Sequence, residues 1–294
     1  MSLAEVRTST QINWLVWRKN IGKVLITVVL LLVTAAVIIP FIWMIVMSLR
    51  TSAGIFANPY GFPWEFRWQN YVDLFFNQQI RFHRFYFNSI YVTLFTLLLS
   101  AIIATMGGYV FGRPRFSFTG REVLFYLLLF ALMLPPQVMY LPQFVMMSRY
   151  GLLNTRWALI LLYTAGALPV STYLMKTYFS QLPQEIEDAA RIDGCSDFRM
   201  FWQVMLPIAR PAVATILMLN FMASWNELLL AVTMVTNPES RTLPVAMMNF
   251  IGEYGANYAL AATSLVSAML PLLIAYIFLS EHFIKGLTAG AIKG

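Results

Sequence analysis

Six apolar runs, at roughly 23–48, 88–112, 122–147, 157–179, 209–236 and 257–281, constrain this chain more than any other feature. Each is long enough to cross the hydrocarbon core of a bilayer, which takes about 20 mainly apolar residues as helix. Lipid offers no hydrogen-bond partner, so segments of this length pair their backbone groups internally, as helices. Composition agrees, with 59% of the 294 residues hydrophobic and 11% charged, against roughly a quarter charged in soluble domains. The first run is too long for the core of a signal peptide and reads as a retained span. The expected fold is therefore all-α: a polytopic membrane protein with six transmembrane helices in one domain over 23–281. A segment 1–22 precedes it and a tail 282–294 follows.

Charge sets the expected orientation. The net charge of +7 reads as the positive-inside bias of a membrane protein rather than as a nucleic-acid surface. With the N-terminus in the cytoplasm, thirteen Lys and Arg fall on inner segments and seven on outer ones. Both termini and the connection 181–208 are then cytoplasmic. The long outer segment 50–87 is crowded with aromatics, among them Phe56, Tyr60, Trp64, Trp68 and Phe76, as an interfacial belt or a partner-gripping surface would be.

Several chemistries are missing. The chain has no GxxxxGK[ST] loop, HExxH or GxSxG, and its two histidines, His83 and His282, fall on opposite sides of the membrane. Its one cysteine, Cys195, forms neither an intrachain disulfide nor a CxxC motif. The expectation is a protein that is not an enzyme, with no metal or cofactor of its own.

What the spans do carry is polar and helix-breaking residues at particular places. Ser89, Thr93, Thr96 and Ser100 share one face of the second span, with Gly107 and Gly108 beyond, a pattern suited to helix packing. In the fifth, Asn220, Ser224 and Glu227 share a face. A carboxylate inside a span faces the bundle interior or a wet cavity. These three, with Asn226 and Gln137, are candidates for a translocation pathway or for structural hydrogen bonds. Prolines 135, 136, 142, 169 and 271 interrupt spans three, four and six, as discontinuous helices along a transport route do.

Between spans four and five lies a charge-bearing island, EDAARIDGCSDFRMFWQVMLP at 187–207. It reads as two short helices. Pro183 opens the first, whose early turns hold Glu185, Glu187 and Asp188, where the helix dipole favours anions. Gly194 supplies a left-handed stop, and Ser196 or Asp197 caps the second helix. Phe198, Phe201, Trp202 and Met205 form an apolar face at i, i+3, i+4, i+7, and Pro207 interrupts before span five. The apolar face is expected against the membrane surface, with Ala189, Ala190 and the first turn offered to the cytoplasm.

The island resembles the EAA loop of permease subunits in ATP-binding-cassette importers. Asp188-Ala189-Ala190 stands for the motif's EAA, Gly194 follows after three residues, and Val204, Leu206 and Pro207 match its closing I-x-L-P. Asp for Glu and Val for Ile are the departures. Ser48-Leu49-Arg50, Asn70-Tyr71, Asn88-Ser89, Pro135-Pro136-Gln137, Ile192-Asp193-Gly194 and the tail Gly286–Gly290 resemble the carbohydrate-importer branch. The resemblance implies the type I importer permease fold and import of a sugar, a di- or oligosaccharide, by alternating access. It implies a second homologous permease as heterodimer partner, two ATPase subunits holding ATP and Mg, and an extracytoplasmic binding protein. The setting would be a bacterial or archaeal cytoplasmic membrane. Glu187, Asp188, Ala189, Ala190, Arg191, Asp193, Gly194, Leu206 and Pro207 would couple the chain to the ATPase, the acidic groups meeting basic residues of its cleft. The rival readings are an ion-coupled secondary transporter and an importer permease for a polyol or glycerol phosphate.

Overall fold

The computed structural model describes the backbone of residues 3–63, 65–253 and 257–291, with side chains over 22–63, 65–248 and 257–278. Trp64, His282 and the tail Gly286–Gly290 lie outside the described side chains. Among the described residues every regular element is helical. Among the described residues four helices are long and apolar enough to cross a membrane alone: Gly22–Ser48 within α1 (Leu3–Ser48), α4 (Phe82–Gly112), α7 (Arg156–Gln181), and Tyr258–Phe278 within α14 (Tyr258–Ala291). Residues 23–43 of α1 are exposed along their whole length, as suits a helix facing lipid or a second chain.

The third span is interrupted at Pro135-Pro136, as expected, whereas α7 and α14 run unbroken through Pro169 and Pro271, where interruptions were expected. α5 (Arg121–Phe130) continues as a 3-10 turn, Ala131–Met133, and meets α6 (Pro136–Arg149) at 106°. The cause is local: Leu134 is extended (φ −86°, ψ 125°), as the residue before a proline prefers, and Pro136 starts the next helix. The fifth apolar run is also broken. α11 (Arg210–Trp225) ends eleven residues short of the expected 236, and α12 (Leu229–Met234) restarts after the break 226–228.

The chain forms two compact units. One joins residues 1–70 to 258–266 and contains α1, α2 (Ser52–Ala57) and the start of α3 (Gln69–Phe76). Its polar residues knit the end of α1. The Asn70 side-chain amide donates to the Ser48 and Arg50 carbonyls at 2.8 Å each, and the Thr263 hydroxyl donates to Ser48 O at 3.1 Å. Arg50 donates to the carbonyls of Gly54 (2.6 Å) and Asn58 (2.8 Å), closing α2. Ser48, Arg50 and Asn70 are thus structural here: buried polar groups that satisfy chain ends lacking helical partners.

The other unit joins 71–257 to 267–294 and is built on α4 and α7, which run parallel and in close contact. Glycine permits the approach. A Cβ on Gly108 would stand 2.3 Å from Met175 Cβ and 2.8 Å from the Lys176 nitrogen, and one on Gly112 2.8 Å from the Lys176 carbonyl oxygen. The stripe Ser89, Thr93, Thr96 and Ser100 is buried throughout. At the starting end of α4, the Asn88 amide donates to the carbonyls of Glu239 and Arg241 at 2.9 Å, and Ser89 Oγ accepts the Leu243 N–H at 2.8 Å, where α13 (Leu243–Glu253) begins. The finishing end carries the island.

Candidate functional site

The island folds as α8 (Glu185–Ile192), α9 (Asp197–Met200), a π turn Phe201–Met205 and α10 (Leu206–Ile208), which meets α11 at 76°. Gly194 has φ +78°. Around it the Cys195 N–H donates to Ala190 O at 3.0 Å and the Gly194 N–H to Arg191 O at 2.9 Å, the paired bonds of a Schellman stop. Ser196, not Asp197, caps the second helix, accepting the Arg199 N–H at 3.4 Å.

The island's apolar face is not left whole for a membrane surface, because Phe201 and Met205 turn inward while Phe198 and Trp202 stay exposed. The island is folded around the ends of α4 and α7. Ala190, Met200, Phe201 and Met205 share one buried cluster with Tyr109, Met175, Phe179, Ala209 and Ile216. Tyr109 anchors it, its ring 5.3 Å from that of Phe179 and 5.4 Å from that of Phe201, its hydroxyl 3.5 Å from Met200 Sδ. The expected stripe of four apolar residues splits for a definite reason. A π turn advances fewer degrees per residue than an α-helix, so Phe201 and Met205 stay inward with Met200 while Phe198 is left 70% exposed. The helical run stops at Ile208, one residue past Pro207, so the expected interruption before the fifth span is present.

The first helix has two faces. Glu187 and Ala190 are buried, whereas Glu185, Asp188, Ala189 and Ile192 are exposed at i, i+3, i+4, i+7. Ile192 is 88% exposed, an unusual position for a branched apolar residue on a charged loop. One expectation is corrected here. Glu187 offers no charge outward, because its side chain is 2% exposed and Oε1 accepts Arg113 Nε–H at 2.7 Å. Arg191 turns back along its own helix, 3.9 Å from Glu187 and 3.6 Å from Asp188. Asp193 and Gly194 are exposed, Leu206 and Pro207 half-buried. The outward face is therefore Asp188, Ala189, Ile192, Asp193 and, beyond the turn, Phe198. Phe198 thus stands outside the buried face that its helical spacing suggests, and Ile192, which the sequence marks only within Ile192-Asp193-Gly194, stands exposed as well. A helical wheel of 185–193 would have separated Ile192 from Glu187.

The five pathway candidates serve different local ends. Asn220 is buried, its amide donating to Ser100 Oγ at 3.1 Å and Ser171 Oγ at 3.0 Å, so it ties α11 to α4 and α7. Ser224 donates to Asn220 O at 2.7 Å. Asn226 is exposed at the break and donates to Met222 O at 2.8 Å, and half-buried Glu227 accepts the Leu230 N–H at 2.7 Å, capping α12. Gln137 is exposed on the first turn of α6. The Asn220 tie carries a prediction. Asn220→Val should lower stability in detergent by about 1 kcal/mol, the usual scale for such bonds between membrane helices, read as a lower Tm. Lost transport at unchanged Tm would instead put Asn220 on the pathway.

Comparisons with known proteins agree with the outline. Residues 104–288 match the family model of the binding-protein-dependent transport system inner membrane component. The galactooligosaccharides transport system permease protein GanQ of Bacillus subtilis is 34% identical over 269 residues, 90% of this chain and 94% of the relative. The diacetylchitobiose uptake system permease protein NgcG of Streptomyces coelicolor is 32% identical over 266 residues, 90% and 87% of the two chains. A chain in the crystal structure of a bacterial ABC transporter that imports alginate superposes with a TM-score of 0.77 at 24% identity, covering 90% of this chain and 97% of that one. That likeness speaks to the fold.

Proposed function

The chain belongs to the binding-protein-dependent transport system inner membrane component family, and we propose that it is the permease subunit of an ABC importer for a di- or oligosaccharide. The relatives that match it nearly end to end move such sugars. The observation that carries the reading is the outward face of α8: a small, largely apolar patch, Ala189 and Ile192 between Asp188 and Asp193, on a loop folded around the ends of α4 and α7. Small and apolar groups allow close approach of another protein, and the flanking acids suit a basic cleft. The partner that fits is an ATPase subunit, which supplies the nucleotide and Mg chemistry.

On this reading the loop 181–208 and both termini face the cytoplasm of a bacterial inner membrane. A second, homologous permease completes the pore, two ATPase subunits sit beneath, and a binding protein delivers sugar from outside. ATP-driven closure of the ATPases moves the coupling loops, the permease pair opens outward to take sugar, and hydrolysis returns it inward. This chain contributes no catalytic residue. Its bent and broken helices at 134–136 and 226–228 are the places where spans can change shape at modest cost.

Vesicles holding this chain, its partner permease, the ATPase and the binding protein test the reading. They should take up one of four sugars (a maltodextrin, a galacto-oligosaccharide, an arabino-oligosaccharide or diacetylchitobiose) only with ATP on the ATPase side, and an ionophore should not change the rate. Uptake that needs an ion gradient and ignores ATP would refute it.

A further inference from the structure

We infer that Arg113 and Glu187 are the positioning pair through which movement of α8 reaches α4 and α7. The inference rests on the importer reading, since it concerns how that movement is transmitted. Arg113 is the first residue beyond α4, and its guanidinium serves three segments at once. Nε donates to Glu187 at 2.7 Å, Nη1 to the carbonyls of Phe179 (3.0 Å) and Leu182 (2.7 Å), and Nη2 to the carbonyl of Pro183 (3.3 Å). These carbonyls end α7 and lead into α8, and Phe179 O also accepts the Leu182 N–H at 3.3 Å, the bond that caps α7. Glu187 sits in the first turn of α8. One cation therefore joins the carbonyl end of one helix to an acid at the amide end of the next, favourable to both dipoles.

The pair is closed to water, with the two side chains 3% and 2% exposed. Burial of this kind is a poor way to gain stability, because two apolar side chains of similar volume would hold the helices as well. What apolar packing lacks is direction. A planar guanidinium with several fixed donors sets angle as well as distance, so α8 cannot pivot without breaking bonds to α4 and α7 together. One turn earlier, Tyr109 packs on Phe179 and Phe201 and reaches Met200, so the same end of α4 grips the second half of the loop. At its other end α4 is tied through Asn88 to the Glu239 and Arg241 carbonyls. Displacement of the loop is thereby handed to a helix fixed at both ends.

The test uses the reconstituted importer and whichever of the four sugars the wild-type complex takes up, reading sugar moved per ATP hydrolysed. Two variants are compared: Arg113→Lys, which keeps the charge but not the fork, and the apolar pair Arg113→Met with Glu187→Leu. Both should retain the ATPase and its basal hydrolysis. Coupling energies in proteins typically correspond to about 5–150-fold, and sugar per ATP should fall about tenfold in the apolar pair and about threefold in Arg113→Lys. Wild-type sugar per ATP in either assembled variant overturns the inference. Should the apolar pair fail to assemble, Arg113→Lys decides, and loss of the ATPase from Arg113→Lys would show that the pair only holds the fold. If the wild-type complex moves no sugar with ATP, the importer reading itself falls.

Discussion

Gly108→Val should abolish accumulation of folded protein in the membrane. The obstruction is backbone and a Cβ, not the flexible end of a side chain: a Cβ at 108 meets Met175 Cβ at 2.3 Å, and the Met175 carbon and Lys176 nitrogen at 2.8 Å. Neither can swing aside, so α4 and α7 would have to part. Gly112, four residues on, faces the same neighbour, in the small-x-x-x-small pattern that brings membrane helices together. Overpacking a tight interface costs about 1–3 kcal/mol where side chains can yield, and more where they cannot. The parting would also pull Arg113 from its carbonyls. Gly107→Ala is the control, since its Cβ would meet Thr172 Cγ2 at 3.4 Å, and it should change stability by no more than about 0.5 kcal/mol. Size-exclusion profiles of detergent-extracted protein distinguish the two, and normal yield and profile for Gly108→Val would contradict the account.

Much of this architecture is written in the sequence, because a bilayer demands long apolar runs and little else. Four of six runs fold as single helices close to where hydropathy puts them. The other two fail at identifiable residues. Pro135-Pro136 marks the bend in the third, but a proline kink by itself fixes neither 106° nor a full break. The fifth breaks at Asn226–Leu228, where Glu227 supplies a cap that reads in sequence as a buried functional acid. Gly194 as a turn follows from local chemistry alone, and its left-handed φ agrees. The partners of Arg113 could not be read, because 74 residues of chain separate it from Glu187 and no local pattern joins them. The split stripe at 198–205 was hidden by a π turn, which shifts helical phase without any signature in composition. Asn220 shows the same limit, since an asparagine in a span looks alike whether it lines a path or ties three helices.

Ile192→Asp should separate this chain from its ATPase while leaving the fold intact. The side chain is 88% exposed and belongs to neither buried cluster, so the unbound protein loses almost nothing by the change. On the docking face proposed above the position is central, flanked by Ala189 and Asp193, and a carboxylate there would add to existing acids. Truncating a central contact typically weakens a complex by about 2–4 kcal/mol, some 30- to 1,000-fold. Gly194→Asp should uncouple by a different route. No atom obstructs a side chain there, but φ +78° costs a non-glycine residue about 1–2 kcal/mol, enough to shift the turn that presents the face without unfolding the helices.

The amount of ATPase retained by the affinity-purified chain, wild type against Ile192→Asp, tests the coupling face most directly. The wild type should carry the ATPase through purification, and Ile192→Asp should lose at least about tenfold of it at an unchanged Tm and elution profile. Equal retention by both would mean that the outward face of α8 is not where this chain meets its motor.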